Sequence, residues 1–526
     1  MSKIIKNIVI LGGGTAGWLT AGVIAAEHNS TSESGLQVTL IESPEVNIVG
    51  VGEGTWPTMR ETLDKIGIDE TDLFRECEAS FKQGAKFAKW VTGAEDDFYY
   101  HPLVLPQGYT KTDLVFPWQK HRDEISFADA VSYQGHICEQ GRAPKLISTP
   151  EYAGIANYAY HLDAVKLGHF LRKHCIEKLG VKHVVDHVIE INSADNGDIA
   201  SVTTKESGDI AGDLFIDCSG LSSILLGKHF DVPFISKKHI LFNDTALAVQ
   251  VPYPDEKSPI ASHTISTAQS SGWIWDIGLP SRRGVGYTYS SAHTNEREAE
   301  IELRAYIESS IGKAEADKLT VRKISFNPGH REKFWHKNCV AIGMASGFLE
   351  PLEASALVLV ELAAAKISRE MPATRETMDI VSKRYNKQFL YRWQRIIEFL
   401  KLHYILTKRT DSAYWRDNCN PETIPDSLKE LLTLWKHHPP GPQDFHQVEE
   451  VFPSSSWQYV LYGMGFETQD NELSRKFVDK EMAHQFFSEN VQLTKKYLSA
   501  LPSNRELIDK IKSYNKFFNQ NTGAIR

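Results

Sequence analysis

No apolar run in this sequence reaches the ~18 residues needed to cross a bilayer. The longest, Ser355 to Ala365, is interrupted by Glu361. Cysteine is scarce: six residues, at 77, 138, 175, 218, 339 and 419, with no CxxC spacing. That argues against a zinc site or a redox dithiol and fits a reducing cytoplasm. The 20 histidines form no HExxH or HxH pattern. His437-His438 sits beside Pro439-Pro440 and reads as a solvated loop, so no metal site is expected. A strong excess of one charge is missing too. A net charge of -9 over 526 residues is too modest to point to nucleic acid or an anionic membrane as the main partner. Internal repeats and low-complexity linkers are also lacking, so the parts are expected to pack as one body.

Lys3 and Lys6 precede an apolar stretch, as in a signal peptide, but three consecutive glycines interrupt it and no cleavage site follows. A cytoplasmic protein is expected. Hydrophobic residues make up 41% and charged residues 24%, enough apolar material for a sizeable core. The length suggests about three units or one large α/β enzyme.

Asn7–Leu11 reads as a buried parallel strand, 12–17 as a tight turn, Trp18–Glu27 as a helix and Gln37–Glu42 as a second strand. This makes a βαβ unit over 5–45. Met59–Cys77 reads as helical. From about 82 to 157 the chain looks irregular and aromatic, a substrate-facing excursion rather than a regular sheet. Leu162–Leu179 reads as a helix, followed by strands at 181–188, 199–204 and 214–217. An antiparallel sheet is expected within about 230–330, a short buried strand at 339–342 and a helix from about Ser355. Beyond 384 nearly everything reads as helical, with Ser503 and Glu506 at capping-box spacing before the last helix.

The chemistry begins at Gly12-Gly13-Gly14-Thr15-Ala16-Gly17, which satisfies GxGxxG between a strand and a helix. Gly12 permits the turn, Gly14 lets the backbone approach a pyrophosphate, and Gly17 lets helix and strand pack closely. The free amides of Thr15 and Ala16 at the helix start suit phosphate, and Glu42, ending the next strand, suits a ribose hydroxyl. Dinucleotide binding follows. The strand ends Phe215–Gly220 and Cys339–Gly343 are of the kind that face a flavin in hydroxylase flavoproteins, although taken alone they read more readily as core strands ending in turns. These features favour FAD over NAD.

Gly272-Trp273-Ile274-Trp275-Asp276-Ile277-Gly278-Leu279-Pro280 resembles the WxWxIP signature of the flavin-dependent tryptophan halogenases. Taken alone, two tryptophans at i and i+2 could equally be sheet cover. The proline position holds Gly278, with Pro280 two residues later, which puts the local backbone in question. Other segments resemble the same family: Gly50–Pro57 (GVGEGTWP), Phe98–Pro102 (FYYHP), Tyr158–Asp163 (YAYHLD), Asp213–Gly220 (DLFIDCSG), Gly347–Glu353 (GFLEPLE) and 402–415. The resemblance runs from about residue 5 to 416 and weakens after that.

It implies an α/β fold: a Rossmann-type FAD-binding domain of the flavin monooxygenase kind, with an inserted antiparallel sheet and a C-terminal helical region. The domain reading is 1–400 for the FAD-binding part, with insertions at about 82–157 and 230–330, and 401–526 for a mostly helical substrate cover. The implied activity is halogenation of an indole- or phenol-like aromatic by reduced flavin, dioxygen and chloride or bromide. Lys82, in Ser80-Phe81-Lys82-Gln83-Gly84, matches the family's lysine that captures hypohalous acid; by residue type alone it could be a surface lysine like Lys86 and Lys89. Glu353 is the implied acid partner, with Glu350 as the competing, more structural carboxylate. Chloride would rest on the amides of Ser355 and Ala356, where Ala356 stands in place of a family glycine and restricts the backbone. Trp273 and Trp275 would separate flavin from substrate, and Gly52 and Gly343 would adjoin the flavin.

Reduced FAD is expected from a separate reductase, because no second dinucleotide fingerprint occurs, and a homodimer is carried over from the family. The clasp that holds free tryptophan in some members is not matched around Pro453–Gly465, where Trp457 reads as core or a substrate wall. Two alternatives remain: a flavin monooxygenase that hydroxylates an aromatic directly, and a flavin-binding sensor without turnover.

Overall fold

The strand Asn7–Leu11 buries four of its five residues, because parallel neighbours and covering helices close both its faces. In the computed structural model, which describes residues 4–45, 52–470 and 479–513, it lies inside a six-stranded sheet. The order is Trp335–His336, Cys339–Ala341, Leu214–Asp217, Asn7–Leu11, Gln37–Glu42, Lys182–Val185. All pairs are parallel except the first. The helix Thr15–Glu27, buried along most of its length, packs against Ala164–Leu179 and Ser355–Arg369. The α/β class and the βαβ unit stand as read.

A second sheet has seven strands in the order Arg322–Ser325, Thr245–Pro252, Arg282–Tyr289, Gly272–Gly278, Thr264–Ala268, Gly84–Ala88, Phe98–Pro102. One pair, Thr264–Ala268 with Gly84–Ala88, is parallel. Helix Glu296–Ile311 covers one face, its Leu303 and Ile307 packing with Leu247, Val249 and Ile274. Trp273 and Trp275 project from the other face into the main core. The reading of 82–157 as irregular is therefore corrected at its start: Gly84–Ala88 and Phe98–Pro102 are sheet strands.

Three helix boundaries also differ from expectation, the first being the start of the helix read from Trp18, which lies at Thr15. The expected helix over Met59–Cys77 is two, Thr58–Lys65 and Glu70–Glu76, because Gly67 adopts φ +79° between them. The helix expected from Leu162 begins at Ala164, where the Asp163 carboxylate accepts the Val165 and Lys166 amides at 3.0 Å each and fixes the N-terminus. Leu162 instead belongs to strand Ala159–Asp163.

That strand is the centre of a small antiparallel sheet, between Gly52–Gly54 and Ser80–Lys82. Its strand Gly52–Gly54 packs against Gly272–Gly278 and Arg282–Tyr289 of the seven-stranded sheet, and it carries much of the site. The 31-residue helix Arg375–Ile405 starts at a Thr374 cap and crosses from the parallel sheet, where Asn386 binds the Phe334 and Trp335 amides, to the site at its last turns. The C-terminal helix Asn504–Ser513 has the expected capping box: Ser503 Oγ accepts the Glu506 amide at 3.2 Å and Glu506 Oε2 accepts the Ser503 amide at 2.9 Å. Asn504, fully buried, ties this helix to the Phe81 and Ala261 carbonyls. Among the described residues no helix is long and apolar enough to cross a membrane, and no cluster of His, Cys, Asp and Glu could hold a metal ion.

Candidate active site

The glycine loop is shaped by close approaches. Gly12 has φ +120°, and a Cβ there would lie 2.2 Å from the Cys218 carbonyl oxygen. A Cβ at Gly17 would lie 1.9 Å from the Gly12 oxygen, so only glycine lets helix Thr15–Glu27 start this close to the strand end. A Cβ at Gly14 meets nothing within 4 Å. Open space thus lies ahead of the loop, at the N-terminus of a helix with no acidic residue in its first turn. Amides and dipole there suit a pyrophosphate.

Thr15 is buried and Ala16 half-buried; Gly343, at φ +66°, approaches so closely that its Cβ would sit 2.9 Å from that of Ala16. Glu42 reaches over the loop, with Oε2 where a Gly13 Cβ would be and Oε1 held by His183 at 2.8 Å and Arg172 at 3.4 Å. These residues fit the dinucleotide half of an FAD: a phosphate cradle and a carboxylate at the ribose end. A separate set of residues encloses a cavity. That cavity, about 310 Å³, is lined by Gly52, Ala248, Gln250, Trp275, Arg282 and Gly284, among others. It opens on the same sheet face as the two tryptophans. Gly50 and Val51 of the GVGE segment lie outside the described residues.

Lys82 is not a surface lysine. Its strand is buried throughout, the residue is 4% exposed, and Nζ donates to the Thr55 carbonyl at 3.2 Å. Burial drives its pKa down to about 8, opposed by the negative charge of Glu353. The loop before helix Ser355–Arg369 brings Glu353 in from the other side. Trp56 Nε1 donates to the Glu353 carbonyl at 2.8 Å, so Thr55 and Trp56, adjacent in sequence, touch the lysine and the glutamate backbone respectively. The two side chains interact through space without a direct ion pair.

The Glu353 carboxylate is held by two imidazoles. His101 Nδ1 lies 2.8 and 2.9 Å from its two oxygens, and His403 Nε2 lies 3.1 Å from Oε1. His403 Nδ1 donates to the Phe399 carbonyl, which aims the other nitrogen at the carboxylate. Burial alone would raise this acid, but the two histidines outweigh it and hold Glu353 ionised, well below the usual carboxylate range. Neither histidine is singled out by the sequence reading. The signal available was their place in two family-like segments, FYYHP and Leu402-His403-Tyr404.

Glu350 points elsewhere. Its Oε2 accepts from Trp273 Nε1 at 2.7 Å, Asn243 at 2.5 Å and Tyr404 at 2.8 Å. Burial raises its pKa against those three donors. One loop therefore presents two glutamates to consecutive helix residues: Glu353 to His403, Glu350 to Tyr404. Trp273 is pinned by its N–H. The Trp275 ring packs against Gly286, where a Cβ would be 2.1 Å from it. Strand Gly272–Gly278 runs unbroken through Gly278, whose O accepts from Ser80 Oγ and whose Cβ position is crowded by Ile260, Ala261 and Tyr253. Glycine there serves packing.

The backbone constraint expected at Ala356 falls earlier. Ala356 is helical, exposed and free of positive φ, whereas Glu353 (φ +66°) and Ala354 (φ +54°) are left-handed. The family-like segment bends there, and the amides of Ser355 and Ala356 open the helix without an intrahelical acceptor. Trp457, fully buried against Phe399, Trp435 and Phe445, is core.

With this geometry in place, comparison with known proteins is direct. Residues 7–496 match the family model for tryptophan halogenase. The chain is 33% identical over 480 residues to tryptophan 6-halogenase SttH of Streptomyces toxytricini, covering 87% of this chain and 89% of that protein. Among solved structures, a tryptophan halogenase from Shewanella frigidimarina superposes with TM-score 0.93 at 50% identity, over 97% of this chain and 98% of that one. Tar14, a tryptophan C-6 flavin-dependent halogenase (chlorinase) from taromycin biosynthesis, superposes with TM-score 0.89 at 32% identity, over 97% and 100%.

Proposed function

Because the chain belongs to the flavin-dependent tryptophan halogenase family, we propose that Lys82 receives hypohalous acid and passes its halogen to an aromatic ring held beside Glu353. The enzyme is an FAD- and halide-dependent halogenase of an aromatic substrate, not a direct hydroxylase. When bound, reduced FAD supplies, with dioxygen and halide, the hypohalous acid. Gly12, Gly14, Thr15, Ala16, Gly17 and Glu42 hold its dinucleotide half, Gly52 and Gly343 adjoin the rest, and the Ser355 and Ala356 amides hold the halide.

The chain's own residues account for the transfer. The Lys82 ammonium donates to the oxygen of the hypohalous acid and polarises the oxygen–halogen bond. That bond breaks as the carbon–halogen bond forms, and the departing hydroxide leaves as water with the lysine's proton. Glu353, ionised beside His101, stabilises the cationic ring. It then takes the ring proton, which an arenium ion yields even to a weak base, and the proton returns to Lys82. Atoms balance: arene plus hypohalous acid gives haloarene plus water. A pKa of about 8 leaves Lys82 mostly ammonium at neutral pH, with roughly a tenth as amine able to form a haloamine instead.

Trp273 and Trp275 form the partition, and the observation that carries the whole reading is the buried Lys82 beside a Glu353 kept ionised. The substrate is an indole- or phenol-like aromatic, free or carried on a larger molecule; the clasp that holds free tryptophan in some members is unmatched in the sequence. Residues 1–400 form the FAD-binding unit and 401–526 its helical cover, although helix Arg375–Ile405 runs through that boundary. A separate reductase supplies reduced flavin, supported by the single fingerprint in the sequence, and the protein works as a cytoplasmic homodimer.

The test is a screen of indoles, phenols and free tryptophan with reduced FAD and bromide, read by mass spectrometry. A bromine isotope doublet on an indole or phenol is expected. Oxygenated, halogen-free products would overturn the reading, and NADH oxidation by the protein alone would remove the separate reductase.

A further inference from the structure

Strand Ser80–Lys82 lies at the edge of its three-stranded sheet, paired there with Ala159–Asp163. That edge is buried, so its outward backbone groups need partners. The residues on either side of Lys82 find them. The Gln83 amide donates to the Ser262 carbonyl at 2.7 Å, and the Phe81 carbonyl accepts from Asn504 Nδ2 at 3.3 Å. The same Nδ2 donates to the Ala261 carbonyl at 3.3 Å. Asn504, the first residue of helix Asn504–Ser513, thus bridges the lysine strand and the loop before strand Thr264–Ala268.

Asn504 is fully buried, and its Oδ1 meets no donor among the described residues. A buried acceptor left unpaired costs stability, so filling space is not what this residue is for. What an apolar residue would lack is the amide that holds the two carbonyls. Arg505 continues the clasp. Its Nη1 donates to the Pro280 carbonyl at 2.7 Å and its Nε to the Ser258 carbonyl at 3.0 Å. Pro280 closes the segment that carries Trp273 and Trp275, and Ser80 Oγ ties the two strands directly by donating to the Gly278 carbonyl. Beyond Lys82, Gln83 Nε2 donates to the Arg142 carbonyl at 2.6 Å, and residues 141–143 are bonded in turn to 501–504.

We infer that Asn504 is a positioning residue of halogen transfer: its amide fixes the strand from which Lys82 reaches, and with Arg505 it sets where that lysine stands relative to the tryptophan partition. This rests on the reading of Lys82 given above. Asn504 touches no reacting atom and acts through the Phe81 carbonyl, one residue from the lysine. Among the described residues Lys82 Nζ makes a single hydrogen bond, to the Thr55 carbonyl, so its place depends on where its strand is held. Displacing a reacting group by about 1 Å can cost up to about a hundredfold in rate. The helix does not need the Asn504 side chain for its own start, because Ser503 and Glu506 cap it.

The experiment uses the full chain loaded with FAD and supplied with reduced flavin, oxygen, bromide and an accepted indole. Product is counted per flavin reoxidised, and free hypobromous acid is trapped in bulk by a halogenatable β-diketone. Asn504→Ala is expected to bind FAD and reoxidise flavin at the natural rate, while product per flavin falls about tenfold and the shortfall appears on the trap. Ile511→Ala is the structural control. It removes buried apolar surface two turns along the same helix, about 10 Å from Asn504. It should lower the melting temperature and leave product per flavin unchanged, since lost stability alone removes flavin turnover and product together. Arg505→Met, at a partly exposed position, should lower product per flavin about threefold and covers the case in which Asn504→Ala does not fold. Unchanged product per flavin in folded Asn504→Ala, or an equal fall in Ile511→Ala, would overturn the inference; so would an unchanged ratio in Arg505→Met if Asn504→Ala does not fold. If Lys82→Met brominates at the natural yield, the underlying reading has failed. If it is inactive while Asn504→Ala keeps the natural ratio, only the role of Asn504 has failed.

Discussion

A buried amine costs stability, and here the cost can be sized. Burial takes Lys82 from an ordinary lysine value of 10.5 to about 8 even with the Glu353 charge opposing the shift. That difference corresponds to about 3 kcal/mol against the folded state wherever both states hold the proton, that is, below about pH 8. The sign follows from proton counting. Between pH 8 and 10.5 the unfolded chain keeps the proton and the folded chain loses it, so rising pH favours the fold and the penalty fades. Lys82→Met removes the titrating group and keeps most of the volume. The variant should be more stable than the natural protein at pH 7, by up to about 3 kcal/mol less about 1 kcal/mol for the lost bond to the Thr55 carbonyl. Near pH 10.5 that advantage should vanish. Urea unfolding of both proteins at pH 7, 8.5 and 10 measures the difference, in which all other titrations cancel. A variant equally or less stable at every pH would refute the claim that an uncompensated amine is held inside for its chemistry.

Other consequences follow from the same geometry. Glu353→Gln should lower halogenation at least about a hundredfold while FAD binding is unchanged. It should also lower the pKa of Lys82 further below 8, since the carboxylate's charge raises it; NMR of the methylated lysine reads this. Gly14→Leu should abolish FAD binding by filling the space ahead of the loop, with little effect on the melting temperature of the apoprotein. Lys145 and Glu70, buried together at 2.5 Å with the Tyr158 and Tyr160 hydroxyls on the same carboxylate, form a polar core. Lys145→Met should destabilise the fold by about 3–5 kcal/mol by leaving that carboxylate unpaired, which a denaturant titration measures.

Local patterns were legible in the sequence. The strand–glycine–helix order at 7–27 and the Ser503–Glu506 cap involve neighbours in the chain, and both stand as read. The strands Gly84–Ala88 and Phe98–Pro102 were hidden because the second sheet accepts them through Thr264–Ala268, about 180 positions away, and because aromatic side chains on both faces obscure their alternation. The family resemblance could name Lys82 and Glu353 but not what holds them. His101 and His403 converge on Glu353 from positions 252 and 50 residues distant, a meeting that only tertiary packing creates.

The central claim is that halogen reaches the substrate through Lys82. Single-turnover mixing of FAD-loaded natural protein and Lys82→Met with reduced flavin, oxygen, bromide and an accepted indole tests it, with flavin reoxidation and brominated product followed together. The account predicts equal flavin reoxidation in both proteins and brominated indole only in the natural one; bromination by the variant at the natural yield would contradict it.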